Sequence, residues 1–252
     1  ELINEKTKAI VCVHYGGLPC DMDELSAIAR EYNIPIIEDA AHALGATYKG
    51  KKIGEISEFT MFSFQAIKHI TTGDGGMLVV KDPSKVAEGE RIRWFGIDRS
   101  NKQKGTWEND IWEVGYKYQM TDIGAAMGLA ALEEFDETLT YRQKLFSAYK
   151  RGLDGATGIT LIGARHTDRT HAAWLCTAIV ERRTEFMKCL RDHKIESAQV
   201  HYRNDRYSVL GGRQKNLPNM DAVEEKYIVL PLHLHMTEKD VDYICTVIKK
   251  GW

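Results

Sequence analysis

The sequence predicts an α/β fold built on a mostly parallel sheet, with a small α+β domain at its C-terminal end. Three observations carry that expectation. Two short apolar runs, 9–14 and 34–37, flank one amphipathic stretch, and strand, helix and strand within about thirty residues is the unit that joins parallel strands. Two more strand signals follow at 59–64 and 77–80. Beyond about residue 155 the composition shifts to shorter alternating pieces that end in an amphipathic helix. The boundary is drawn so that 1–135 form the larger domain. Residues 136–252, with the linking helix, form the smaller one.

Each element has a local reason. AIVCVH at 9–14 is apolar and β-branched, as a buried strand requires, and Gly16, Gly17 and Pro19 end it. Asp21 starts a helix to Tyr32, with Glu24 three residues on completing a capping-box pattern. Met22, Leu25, Ile28 and Ala29 share its apolar face. IPII at 34–37 delivers Glu38 and Asp39 at its end, and FTMFSF at 59–64 and MLVV at 77–80 are the next strands. Asp82-Pro83 opens a helix where the missing proline N–H costs nothing. Residues 99–109 are polar and aperiodic and read as a surface loop, and 121–153 read as one long helix. In the smaller domain, 174–180, 197–202 and 227–230 read as strands, 184–193 and 237–250 as helices, and 205–219 as loop. Thr237 caps the last helix, whose stripe is Val241, Ile244, Cys245 and Ile248.

Composition narrows the function classes. A net charge of −2 gives no broad field for nucleic acid or an anionic membrane. No apolar run approaches the roughly 20 residues that span a bilayer, and no signal peptide is visible. Five cysteines, odd in number and without a C-x-x-C pair, argue against a disulfide framework or a zinc knuckle. Reduced thiols and a cytoplasmic location are expected. His233 and His235 lack a third ligand at metal-site spacing, so no metal is expected. The Gly73–Gly76 run lacks the lysine spacing of a phosphate loop and reads as a tight turn.

Open α/β sheets place their sites at the C-terminal ends of strands. Asp39, Ser63 and Lys68 fall there. A carboxylate, a hydroxyl and a lysine on one edge suit several chemistries. One is an amine that bonds a cofactor aldehyde while the carboxylate holds a heterocyclic nitrogen. A plain solvated strand edge is the alternative.

The wording of these segments goes further. EDAAHALG at 38–45 and FSFQAIKHITTGDGG at 62–76 resemble the signatures of the DegT/DnrJ/EryC1/StrS family of sugar aminotransferases. So do VHYGGLPCDMD at 13–23, GYKYQMTDIGAAMGL at 115–129 and LPLH at 230–233. The resemblance runs over essentially the whole chain. It implies an aspartate-aminotransferase-type fold (fold type I), pyridoxal 5'-phosphate as cofactor, and transfer of an amine from an amino acid, glutamate being expected, to a nucleotide-linked keto-deoxysugar. It implies that Lys68 bonds the cofactor and moves the proton, and that Asp39 pairs with the pyridine nitrogen. Ser63 would serve the phosphate, Ala41 would let the ring lie close, and His42 would stand near the ring hydroxyl. Many members have Asn at the third position of G-Y-N-Y, reaching the phosphate of the neighbouring subunit. Here Lys117 takes that place, which implies a homodimer with shared sites. Tyr15, His201 and Tyr202 are candidates for the sugar pocket from motif position. Members run about half as long again, so a truncated start is expected at Glu1. The absent part would carry three strands, a phosphate-cradling loop and an aromatic that stacks on the ring. Two alternatives stand beside the aminotransferase: a sugar dehydratase using the same cofactor, which Lys68 disfavours because such relatives replace it with His, and a non-catalytic remnant of the fold.

Overall fold

The computed structural model describes residues 2–105 and 110–252. In chain order the elements are β1 (Ile10–Val13), α1 (Met22–Tyr32), β2 (Ile36–Asp39), β3 (Thr47–Tyr48), β4 (Lys51–Lys52), β5 (Phe59–Ser63) and β6 (Gly76–Val80). Then come α2 (Val86–Arg93), α3 (Arg99–Gln103), α4 (Asp122–Glu133), α5 (Phe135–Gly152), β7 (Ile159–Leu161), β8 (Arg169–Thr170) and β9 (Cys176–Val180). Last are α6 (Arg183–Asp192), α7 (Pro218–Val223), β10 (Tyr227–Leu230) and α8 (Glu238–Lys249). Two compact units result. The first holds Glu1–His14, Pro19–Leu44 and Lys51–Phe135; the second holds Tyr15–Leu18, Gly45–Gly50 and Asp136–Trp252.

The first unit is organised by a sheet in the order β1-β2-β5-β6. β1, β2 and β5 are parallel and β6 returns antiparallel to β5. The register sets Cys12, Glu38 and Thr60 in one row and Val13, Asp39 and Met61 in the next. Side chains alternate between faces along a strand, so these rows point to opposite sides. The Glu38 row is buried, whereas Val13 is 45% and Met61 39% exposed. α1 joins β1 to β2, buries Met22 and Ala29, and stops at Asn33 in the left-handed conformation, whose N–H bonds back to the Ala29 and Arg30 carbonyls.

The second unit packs α5, α6 and α8 with the antiparallel sheet β10-β9-β7. Tyr149, Phe186, Leu190, Ile228 and Val241 are fully or almost fully buried there, each burial contributing about 1.5–3 kcal/mol. Arg142 is partly buried in this unit as a strut, donating from Nε to the Ala173 carbonyl at 2.9 Å and from its second amino nitrogen to the Trp174 carbonyl at 2.8 Å. A Thr237–Asp240 capping box starts α8. β3 and β8 form a small antiparallel pair.

Several expectations are corrected. Asp21 occupies the N-cap of α1 but makes no capping hydrogen bond. The run expected as one helix over 121–153 is two, α4 and α5, parted at Glu134, where φ is −99° and ψ 2°. Residues 99–103 of the expected loop are helical, and 106–109 lie outside the described residues. The expected strand at 197–202 reduces to a single bridge between Ala198 and Val229, and the expected loop at 205–219 contains the start of α7. Among the described residues, no helix is long and apolar enough to cross a membrane.

Candidate active site

Three parallel strands end at one edge of the first sheet. The His14 N–H donates to the Asp39 carbonyl at 3.0 Å, and the Ala40 N–H to the Met61 carbonyl at 2.9 Å, so the ladder runs to the last residue of β2. Asp39 is then held in a tight turn, its Oδ1 accepting the Ala41 N–H at 3.0 Å. Ala40 and Ala43 are fully buried. Ala41 and His42 sit between them, partly exposed.

Glu38 faces the other way and is the structural member of the pair. Its carboxylate accepts from His14 Nε2 at 2.8 Å, the Ser57 N–H at 2.8 Å and the Thr60 hydroxyl at 3.3 Å. The Cys20 N–H donates to His14 Nδ1 at 3.0 Å, so the ring's proton stands on Nε2, facing Glu38. Burial alone would raise the Glu38 pKa. The bonds from His14 and Ser57 outweigh it and hold the carboxyl below its ordinary value.

Lys68 lies in the loop between β5 and β6. The loop is tied at its base by Phe64 N–H to the Gly75 carbonyl at 2.8 Å and Thr72 N–H to the Phe64 carbonyl at 2.9 Å. A Cβ on Gly75 would lie 2.2 Å from the Thr72 hydroxyl, and one on Gly76 2.7 Å from the Phe62 carbonyl oxygen. Gly75 and Gly76 are therefore required by close approach within this turn. Within the loop, Ser63 Oγ accepts the Gln65 N–H at 3.3 Å, which leaves its own hydrogen unspent in that bond. Burial lowers the Lys68 pKa, and the charge of Asp39 opposes the shift. Asp39, Ser63 and Lys68 thus come to one strand edge, and the carboxylate acts on the amine.

Lys117 follows from a second close approach. Segments 92–95 and 116–118 run antiparallel, with Phe95 N–H to the Tyr116 carbonyl at 3.0 Å and Tyr118 N–H to the Arg93 carbonyl at 3.0 Å. A Cβ on Gly115 would lie 1.9 Å from the Gly96 nitrogen, so the backbones cross where only glycine fits. Lys117 is exposed, and its Nζ lies 4.7 Å from the centre of the Trp94 ring.

In the second unit, Tyr15 and His201 meet. The Tyr15 hydroxyl bonds His201 Nδ1 at 2.7 Å and also bonds the Tyr227 hydroxyl. Burial and the bond to Tyr227 push the Tyr15 pKa up. Tyr227 was not anticipated. As the first residue of a short strand it carries no motif, and only the fold brings it to Tyr15. Tyr202 is not brought into this group; its ring faces the Arg206 guanidinium at 4.5 Å.

Comparison with known proteins gives these sites their context. The chain is 33% identical over 251 residues to the GDP-perosamine synthase of Escherichia coli O157:H7, covering 98% of this chain and 66% of that protein. It superposes on the sugar aminotransferase CalS13 from Micromonospora echinospora with a TM-score of 0.92 and 34% identity, covering 100% of this chain and 69% of that one. Spr1654 from Streptococcus pneumoniae, solved in a PLP form, gives 0.85 at 32% identity over 98% of this chain and 69% of its own. The chain therefore spans about two thirds of the length of these relatives. The fold is the type I architecture of these PLP-dependent enzymes. The residues present fit that cofactor. A lysine whose pKa burial lowers suits a cofactor aldehyde, a carboxylate acting on it suits a ring nitrogen, and the donor hydrogen of Ser63 and the ammonium of Lys117 suit a phosphate. A sequence model of the family matches residues 1–249, and the chain belongs to the pyridoxal-phosphate-dependent DegT/DnrJ/EryC1/StrS aminotransferase family.

Proposed function

We propose that the protein moves an amine from an amino acid donor, glutamate in the first instance, to a keto group on a nucleotide-linked deoxysugar. The observation that carries this is the meeting of Asp39, Ser63 and Lys68 at the C-terminal edge of a parallel sheet, with burial lowering the lysine's pKa against the opposing charge of Asp39. The similarity to a GDP-perosamine synthase supports a nucleotide sugar as substrate.

Bound there, pyridoxal phosphate supplies an electron sink for the bond-breaking carbon. The chain's residues supply the rest. Lys68 would be the residue that holds the cofactor through its aldehyde, and its amine would be the group that carries a proton at the reacting carbon. Asp39 would pair with the cofactor's ring nitrogen, and Ser63 would donate to its phosphate. Ala41, without a long side chain, leaves room for the ring, and His42 stands by the ring hydroxyl. Lys117 meets the phosphate held by a second copy, as a point charge. Exposed Val114, Tyr118, Ile123 and Leu129 support such a homodimer. Tyr15 and His201, joined by Tyr227, line the sugar pocket, and Tyr202, which faces Arg206 instead, is left out of it. A cytoplasmic setting suits the free thiols of Cys12, Cys176 and Cys245.

The test is an absorption spectrum after addition of pyridoxal phosphate, followed by borohydride reduction and peptide mapping. A single reduced adduct on Lys68 is the expected result. Label scattered over surface lysines, or none, would remove Lys68 from its role.

A further inference from the structure

Lys117 shares one aromatic ring with a second cation, Arg99, which the site so far leaves unused. Lys117 Nζ lies 4.7 Å from the centre of the Trp94 ring, and the Arg99 guanidinium carbon lies 5.1 Å from the same centre. Trp94 and Lys117 are also bridged as antiparallel neighbours. The flanking bonds, Phe95 to Tyr116 and Tyr118 to Arg93, make them a non-hydrogen-bonded pair. Side chains of such a pair stand closest together, on one face. The indole is held in turn by an edge contact with Phe95, centres 5.0 Å apart. Its backbone runs directly into the Gly96–Gly115 crossing, where a Cβ on Gly115 would meet the Gly96 nitrogen at 1.9 Å.

We infer that Trp94 is a positioning residue that holds the Lys117 ammonium for an anionic phosphate. This rests on the reading of Lys117 as a phosphate contact. A lysine has four rotatable side-chain bonds and reaches an anion only after losing that freedom. A ring face that attracts the ammonium removes part of the loss in advance. Arg99, whose guanidinium carbon lies 5.1 Å from the same ring centre, adds a second positive charge to this patch, and the two together favour a phosphate over a neutral ligand of the same shape.

The experiment compares the affinity of the intact protein for pyridoxal 5'-phosphate with that for pyridoxal, which lacks the phosphate, by absorbance titration. The ratio isolates the phosphate contribution. Lys117→Ala is expected to reduce the ratio about tenfold or more, the scale of a lost charge-assisted bond. Trp94→Leu is expected to reduce it about three- to tenfold, and Trp94→Phe, which keeps a π face, to recover part of that. Adding Trp94→Leu to Lys117→Ala should cause no further fall, because nothing is left to position. Pyridoxal affinity and thermal midpoint should hold in the Trp94 variants. If Lys117→Ala reduces the ratio and Trp94→Leu does not, the positioning role is overturned while the phosphate contact stands. If Lys117→Ala leaves the ratio unchanged, the contact itself fails. If Trp94→Phe falls as far as Trp94→Leu, or pyridoxal binding falls with it, the tryptophan acts as packing only and the inference is lost.

Discussion

Replacing Glu38 tests whether a buried network sets the edge on which Asp39 stands. Glu38 and His14 are both fully buried, and three donors converge on the one carboxylate, two of them at 2.8 Å. Glu38→Gln preserves volume but introduces an amide that is half donor. His14 cannot answer by moving its proton, because Nδ1 already accepts the Cys20 N–H at 3.0 Å. Whichever way the amide turns, a donor faces His14 or Ser57. One buried donor is left unpaired, at a cost of about 1–3 kcal/mol. Glu38→Ala leaves the His14 and Ser57 donors both unpaired and should cost about 3–5 kcal/mol. Urea unfolding at neutral pH measures both, with an unchanged m-value expected. The sign of the pH dependence follows from the depressed Glu38 pKa. Its stabilisation is present above the unfolded carboxyl pKa and is lost as pH falls through the lower folded value. The gap between wild type and variant should therefore close in acid. A loss under about 0.5 kcal/mol for Glu38→Ala at neutral pH would refute the reasoning.

Other consequences follow from the same geometry. Asp39→Asn removes the charge that supports the Lys68 ammonium and leaves burial acting alone, so the pH midpoint for adduct formation on Lys68 should move down; an upward move would contradict the arrangement. Lys68→Ala should abolish the borohydride-trapped adduct without changing the thermal midpoint. Gly115→Ala puts a carbon 1.9 Å from the Gly96 nitrogen, and a thermal melt should report destabilisation of about 2 kcal/mol or more. Tyr227→Phe deletes the second hydroxyl partner of Tyr15 and should raise KM for the nucleotide sugar about threefold to tenfold. Trapping on Lys68 should be untouched, and an unchanged KM would take Tyr227 out of the sugar pocket.

The parallel strands could be read from the sequence because buried strands are continuous apolar runs. The motifs could be read because close approach restricts residue type, as at Gly75, Gly76 and Gly115. The misses have matching causes. Nothing in EEFD at 133–136 breaks a helix, yet α4 and α5 part at Glu134. SAQVHY at 197–202 alternates like a strand but finds only one bridge, from Ala198 to Val229. Pro218 falls in the stretch 205–219 that reads as loop, but proline is equally at home in the first turn of a helix, where it stands in α7. β3 and β8 are two residues each, and Thr47 pairs with Thr170, a separation no local pattern reports. The same limit hid Tyr227 and Trp94. Their partners, Tyr15 and Lys117, are neighbours only through the fold.

The Glu38-Asp39 dipeptide shows why two acidic residues stand side by side at this strand end. Successive residues of a strand point to opposite faces, so the two carboxylates cannot share an environment. Glu38 enters the buried face and is spent on His14, Ser57 and Thr60. Asp39 emerges on the row of Val13 and Met61 and acts on Lys68. The first fixes the strand ends of β1, β2 and β5 against one another; the second uses the edge so fixed. A one-residue slip of β2 would exchange the two carboxylates, burying the functional one and exposing the structural one. The three-donor network on Glu38 opposes that slip, because Asp39, one methylene shorter and in the next row, cannot meet the same donors. Register and chemistry are thereby coupled through one backbone step. That coupling predicts that damage to Glu38 appears at Lys68 as altered trapping chemistry as well as in the unfolding curve.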